Sequence, residues 1–122
     1  MKFHPDAASN NTIHGYGPGW IQVGAEKIMR SVVLSSRGER LDWDCERFED
    51  LTEMHFEQLA RLQTELVIFG SGDKLRFVSP VLTQSLIIQQ IGLETMDTPA
   101  ACRTYNVLAN EGRIVACALL MR

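Results

Sequence analysis

The sequence predicts an α/β domain with helices on the faces of a sheet and a β-rich extension at its N-terminal side. Two observations carry this. The second half alternates short apolar runs with helical segments opened by Ser-Pro or Thr-Pro and closed by glycine, in the order strand, helix, strand, helix, strand. The first half is a series of short strand-like runs parted by turn formers. At 122 residues and 45% hydrophobic content the chain is long enough for one core.

Residues 1–11 are polar and unpatterned and read as a loose tail, with a single domain over 12–122. Thr12 to Tyr16 is a strand, followed by the turn-rich Gly15-Tyr16-Gly17-Pro18-Gly19. Trp20 to Val23 and Lys27 to Met29 flank Gly24-Ala25-Glu26 and form a hairpin. Ser31 to Ser35 is a buried strand, Arg37-Gly38 turns the chain, and Leu41 to Trp43 pairs briefly. Thr52 caps a helix whose apolar face is Phe56, Leu59, Ala60 and Leu62. Leu66 to Phe69, ending in Gly70-Ser71-Gly72, suits a central strand. Ser79-Pro80 opens a helix that ends near Gly92, and Leu93 to Met96 is the next strand. Thr98-Pro99 repeats the cap and proline for a helix ending at Glu111-Gly112, and Ile114 to Leu120 is the last strand.

The helix after Pro80 is unusual. Val81, Leu82, Leu86, Ile87, Ile88 and Ile91 spread around most of its circumference, so it needs cover on more than one side. Cover by the sheet and the N-terminal strands is one reading; a subunit or partner interface is the other.

Charge narrows the partners. The net charge is -3, which gives no general attraction to nucleic acid or anionic lipid. Between Glu39 and Glu57 eight acids stand against Arg40 and Arg47, a local -6 that leaves +3 on the remainder. Such a stretch is a solvated face or a docking surface. The three cysteines are odd in number and lack Cys-x-x-Cys spacing, which argues against disulfides and a zinc site and for a reducing compartment. No signal-peptide pattern is visible, and the apolar runs fall far short of the roughly 20 residues that span a bilayer. A cytoplasmic protein not embedded in the membrane is expected.

Gly70-Ser71-Gly72 lies where phosphate-cradling loops occur, but Leu75 replaces the third glycine of the dinucleotide fingerprint and no Gly-Lys-Ser/Thr follows. His4, His14 and His55 are dispersed, and Ser79, Ser85 and Cys102 have no base placed beside them. No catalytic residue, metal or cofactor is assigned. A geometric candidate remains. Ligands in open α/β sheets bind beyond the C-terminal strand ends, where helix N-termini gather. A pocket for a carboxylate or similar anion is therefore placed at Gly70, Gly72, Ser79, Thr98 and Arg103, with Asn106 on the same helix face as Arg103. The structural alternative pairs Arg103 with Asp97 or Glu94 and has Asn106 hold a loop. Cys102, in the first turn of its helix, is either a lowered-pKa thiol or a buried inert one.

Three blocks taken together carry a resemblance: Gly15-Tyr16-Gly17, Glu65 to Gly72, and Glu94 to Arg113 with its Asp97-Thr98-Pro99-Ala100-Ala101-Cys102-Arg103-Thr104-Tyr105-Asn106 core. Over roughly residues 12–120 the chain resembles a family of small uncharacterised bacterial and archaeal α/β proteins. Its eukaryotic relatives include the mitochondrial complex I (NADH:ubiquinone oxidoreductase) assembly factor of the same fold. The resemblance implies three layers, a central mixed sheet of about five strands flanked by helices, and an N-terminal β-hairpin extension. It implies no enzymatic activity and supplies no catalytic residues. No mitochondrial presequence is recognisable, so the assembly role transfers as a class of function. Two functions follow: an interaction or assembly-factor-like protein holding a protein partner, or a small-anion binder or unrecognised enzyme at the sheet edge near Arg103. A homodimer is compatible with either.

Overall fold

A computed structural model describes residues 11–122. The expected tail lies outside the described residues except for Asn11. Asn11 is buried, and its side-chain amide donates to the carbonyls of Ser35 and Glu39 at 2.8 Å each.

Among the described residues eight strands form two sheets. Strands β1 (Ile13–Gly17), β2 (Trp20–Val23) and β3 (Glu26–Ile28) make an antiparallel three-stranded sheet, the expected hairpin extension with one further strand. Strands β4 (Val32–Ser35), β5 (Arg40–Asp42), β6 (Leu66–Gly70), β7 (Gly92–Met96) and β8 (Val115–Leu119) form the mixed central sheet in the order β5-β4-β8-β6-β7. β6 runs parallel to β7 and β8, and β4 antiparallel to β5 and β8. Helix α1 (Glu53–Ala60) precedes β6, α2 (Gln84–Ile88) lies between β6 and β7, and α3 (Thr98–Asn110) joins β7 to β8. The crossovers through α2 and α3 step in opposite directions across the sheet and lie on opposite faces, as a shared hand requires.

The middle strands are apolar throughout because both faces are covered. On one face Val33, Val67, Phe69, Ala116 and Ala118 meet Trp43, Leu51, Phe56, Leu59 and Leu86. The two alanines of β8 make room there for an aromatic cluster. Trp43, Phe56 and Phe69 sit pairwise edge-to-face with ring centroids 6.0 Å apart. On the other face Val32, Leu34, Ile68, Val115, Cys117 and Leu119 meet Ala101, Cys102 and Tyr105 of α3 and Ile13, Ile21, Val23 and Ile28 of the smaller sheet. The result is the predicted three-layer arrangement.

Local caps set the helices. The Thr52 N–H donates to His55 Nδ1 at 2.9 Å, and His55 Nε2 donates to the Asp44 carbonyl at 2.7 Å, which fixes the start of α1. Four sequence expectations change. The Ser79-Pro80 segment does open a turn, but as a 3-10 helix over Pro80–Thr83, and α2 is only five residues long. Gln90 takes the left-handed conformation (φ 60°) that ends it, while Gly92 opens β7, where a Cβ would come within 3.1 Å of Leu66 Cδ1. The cap of α3 is Asp97, whose Oδ1 accepts from Ala100 N–H at 2.9 Å, not Thr98. Finally, the helix after Pro80 is not sandwiched beneath the N-terminal strands. Those strands share the opposite face with α3, and α2 packs on α1 instead.

One side chain fastens the small sheet to α3. Asn106 accepts from Ile13 N–H at 3.0 Å and donates to Ile13 C=O at 2.7 Å, completing part of the β1 edge as a neighbouring strand would. Asn106→Ala leaves both groups half-buried and unpaired. It is expected to cost about 1–3 kcal/mol in urea unfolding; a loss inside the ~0.5 kcal/mol typical of surface changes would contradict this role. Gly72 (φ 102°) abuts the chain end so closely that a Cβ would lie 1.7 Å from the Arg122 carbonyl oxygen, whereas a Cβ on Gly112 (φ 85°) meets open space. Gly112→Ala should cost about 1–2 kcal/mol for the left-handed backbone alone, and Gly72→Ala distinctly more. Equal losses in thermal unfolding would show that the 72–122 contact contributes nothing.

Candidate functional site

Because β6, β7 and β8 are parallel, their C-terminal ends emerge at one edge of the sheet. Thr98 ties the three together. Its Oγ1 accepts from Gly72 N–H at 2.9 Å and donates to the Leu120 carbonyl at 2.6 Å, and its N–H donates to the Gly72 carbonyl at 2.8 Å. Gly70 lies behind this knot, where a Cβ would come within 2.9 Å of both Leu119 Cδ2 and Thr98 Oγ1. The glycine loop after β6 thus serves close packing of three strand ends.

In front of the knot is an open cleft of about 410 Å³. Gly72, Asp73, Thr98, Pro99 and Met121 form one wall, and the β1–β2 turn, Tyr16 to Gly19, forms the other. Arg103 lies on the exposed side of α3, and its Nη1 donates to the Tyr16 hydroxyl at 2.9 Å. That bond, with the nearby Asp97 carboxylate, raises the arginine pKa further above its ordinary value. Arg103 therefore pairs with neither Asp97 nor Glu94 directly but with the opposite wall of the cleft.

Of the residues placed together from sequence, Gly72 and Thr98 line the cleft and Arg103 reaches it through Tyr16. Asn106 is engaged with β1, and Ser79 belongs to the other face, where its hydroxyl accepts from Val81 N–H. The start of α3 offers an anion little. Thr98 and Ala100 N–H groups are engaged as above, Ala101 N–H bonds to the Asp97 carbonyl, and residue 99 is proline. Asp73 adds a negative charge to the wall. Two cations stand near it: Arg76, whose guanidinium donates to the Ser71 carbonyl and pairs with Asp73, and Arg103, which has no carboxylate partner among the described residues and would attract an anion.

Cysteine chemistry is not available at the cleft. Cys102 is fully buried against the sheet, and burial pushes its thiol up to about 12; Cys117 is raised by the same cause. All three cysteines are free thiols, and no cluster of metal-ligating side chains occurs among the described residues.

A second feature is an exposed apolar segment that runs from the loop after β6 into α2 of the opposite layer. Leu75, Phe77, Val81, Ile87 and Ile88 are 51%, 72%, 62%, 55% and 75% exposed, within fourteen residues of chain. The exposed acids Asp44, Glu46, Glu49, Asp50 and Glu53 belong to this same layer, on α1 and the segment before it. The facing wall, Tyr16 to Gly19, and Met121 carry no local sequence signal for the cleft; the packing of the smaller sheet and the end of β8 bring them there.

Comparison with known proteins agrees with this architecture. A crystal structure of a Bordetella parapertussis protein superposes with a TM-score of 0.85 at 35% identity, over 90% of this chain and 94% of that one. An uncharacterised protein of Rhodobacter capsulatus is 34% identical over 116 residues, 95% of this chain and 89% of the relative. A Bos taurus protein named NADH dehydrogenase (ubiquinone) 1 alpha subcomplex assembly factor 3 is 33% identical over 82 residues, 66% of this chain and 45% of the relative. The chain thus matches about half the length of that assembly factor. Among the described residues no helix is long and apolar enough to cross a membrane. A family model for proteins of unknown function matches residues 13–120, and the chain belongs to that family, DUF498/DUF598.

Proposed function

We propose that the chain is a non-enzymatic interaction protein of the assembly-factor kind, and that it holds a partner protein against the segment from Leu75 to Ile88. The observation that carries this is the exposure of five large apolar side chains in that segment, an arrangement that marks interaction surfaces on folded proteins. The names of the mammalian relatives support the class of function, an association made while a larger complex is put together. The acids of the same layer favour a partner that carries basic residues around an apolar contact. Three free cysteines fit a reducing compartment, and the reading places the protein in the cytoplasm.

A second reading rests on the cleft. Its position beyond the ends of three parallel strands is where α/β sheets bind small molecules, and Arg103 at its rim would select an anion. A carboxylate-bearing ligand would meet Arg103 at the rim, where its guanidinium links α3 to Tyr16 of the facing turn.

Native mass spectrometry of protein gently purified from its host separates the two. The expected result is a stoichiometric protein partner that is lost from the double variant Phe77→Ser, Ile88→Ser. The fold of that variant should stay within about 0.5 kcal/mol of the parent, since both side chains already face solvent. A partner unaffected by these changes would overturn the assignment to this surface. A retained small molecule that disappears on Arg103→Ala would establish the cleft instead, and a homodimer broken by the double variant would make the partner a second copy.

A further inference from the structure

The central sheet ends on one side at β7, and among the described residues no strand pairs with this edge. Gly92 and Met96 turn their backbones towards β6: Gly92 N–H donates to the Glu65 carbonyl at 3.2 Å, and the Met96 carbonyl accepts from Ser71 N–H at 2.9 Å. The alternation of a parallel ladder then points the N–H and C=O groups of Leu93 and Thr95 outward. The other edges are protected in ways that sheets commonly use. β1 is clamped at Ile13 by the Asn106 amide. β5 is three residues long, and β3 has two charged residues among its three. Ion pairs join these short edges, Arg40 to Glu26 at 2.7 Å and Arg30 to Asp42 at 3.1 Å. β7 is five residues long and carries one charge, Glu94, which is exposed and joined to no ion pair among the described residues. The apolar surface lies beside it: α2, with exposed Ile87 and Ile88, contacts β7, and Leu93 faces the same layer.

We propose that β7 receives an extended segment of the partner protein as a sixth strand, and that this segment places a lysine or arginine opposite Glu94. Backbone bonds to Leu93 and Thr95 would supply the docking, the apolar surface the contact beneath it, and Glu94 the choice of occupant. Glu94 also argues against a second copy of the chain. The antiparallel self-pairing that uses all four outward groups sets Leu93 opposite the other Thr95. It therefore sets Glu94 opposite Glu94 in the close, non-hydrogen-bonded position, where like charges repel. The edge is closed to itself and open to a basic strand.

This deepens the partner-protein reading and rests on it, but its test has its own readout. The complete chain, labelled for amide hydrogen exchange by NMR, is titrated with the capped heptapeptide Thr-Val-Thr-Lys-Thr-Val-Thr and with its counterpart bearing Glu at the centre. The lysine peptide should slow exchange at Leu93 and Thr95, with a preference of about threefold or more over the glutamate peptide, the scale of one cross-strand charge pair. Glu94→Lys should reverse that preference. Thr95→Pro, which removes an outward donor and leaves the β6 ladder intact, should abolish protection at Leu93. Equal protection by both peptides, or none by either, overturns the proposal. Protection that grows with protein concentration in the absence of peptide overturns it too, by making a second copy the occupant. A β7 blind to both peptides alongside a partner lost from the Phe77/Ile88 variant would remove the edge alone. Protection of β7 with a partner indifferent to that variant would remove the apolar segment alone.

Discussion

Everything else in this fold answers one constraint: the central strands β4, β6 and β8 are apolar on both faces and must be covered twice. β8 is buried along its whole length between β4 and β6. A sheet of this kind cannot leave either face to water, so the chain spends its remaining length on two covering layers. One is α3 with the three-stranded sheet; the other is α1, α2 and the Trp43 to Leu51 segment. The side chains of β8 show how the layers differ. Alanines 116 and 118 admit the aromatic cluster on one face, and Val115, Cys117 and Leu119 fill the space beneath α3 on the other.

The two layers end in different surfaces. The α3 layer is closed by polar clasps: Asn106 on Ile13, Arg103 on Tyr16, Thr98 on the ends of β6 and β8. These clasps hold the β1–β2 turn over the strand ends and shape the cleft. The α2 layer is thin. Its helix is five residues long, and it turns Leu86 into the core while leaving Ile87 and Ile88 in water. Burying the exposed part of those two side chains would contribute about 1–2 kcal/mol each, so their exposure is a cost that a bound partner would recover.

Much of the architecture was legible in the chain. The runs at 31–35, 66–69 and 114–120 announce strands that occur within a residue of those bounds, and Ser79-Pro80, Thr98-Pro99 and Gly112 mark turns and helix ends where they occur. What failed did so for local reasons. Gly92 looked like a helix terminator because glycine commonly takes positive φ, yet Gln90 takes it and Gly92 answers a steric demand from Leu66. The wide apolar belt after Pro80 was visible, but which layer it joined depended on the order of β6, β7 and β8, which no local pattern encodes. The cleft was legible only as an edge of the sheet. Gly72 and Thr98 could be placed there from the strand–helix alternation, whereas Tyr16 arrives through the packing of a separate sheet, and Ser79, at the end of the irregular stretch 71–79, leaves for the other face.

If the protein acts through the apolar segment of its α2 layer, that segment touches its partner in the cell. The most direct measurement is site-specific photo-crosslinking in the host from a probe at Ile88, with a second probe at Val107, another exposed apolar site, on α3 in the opposite layer. One defined protein captured from position 88 and not from position 107 is the outcome this account predicts. The same products from both positions, or a defined product from 107 alone, would contradict it and return attention to the α3 layer and its cleft.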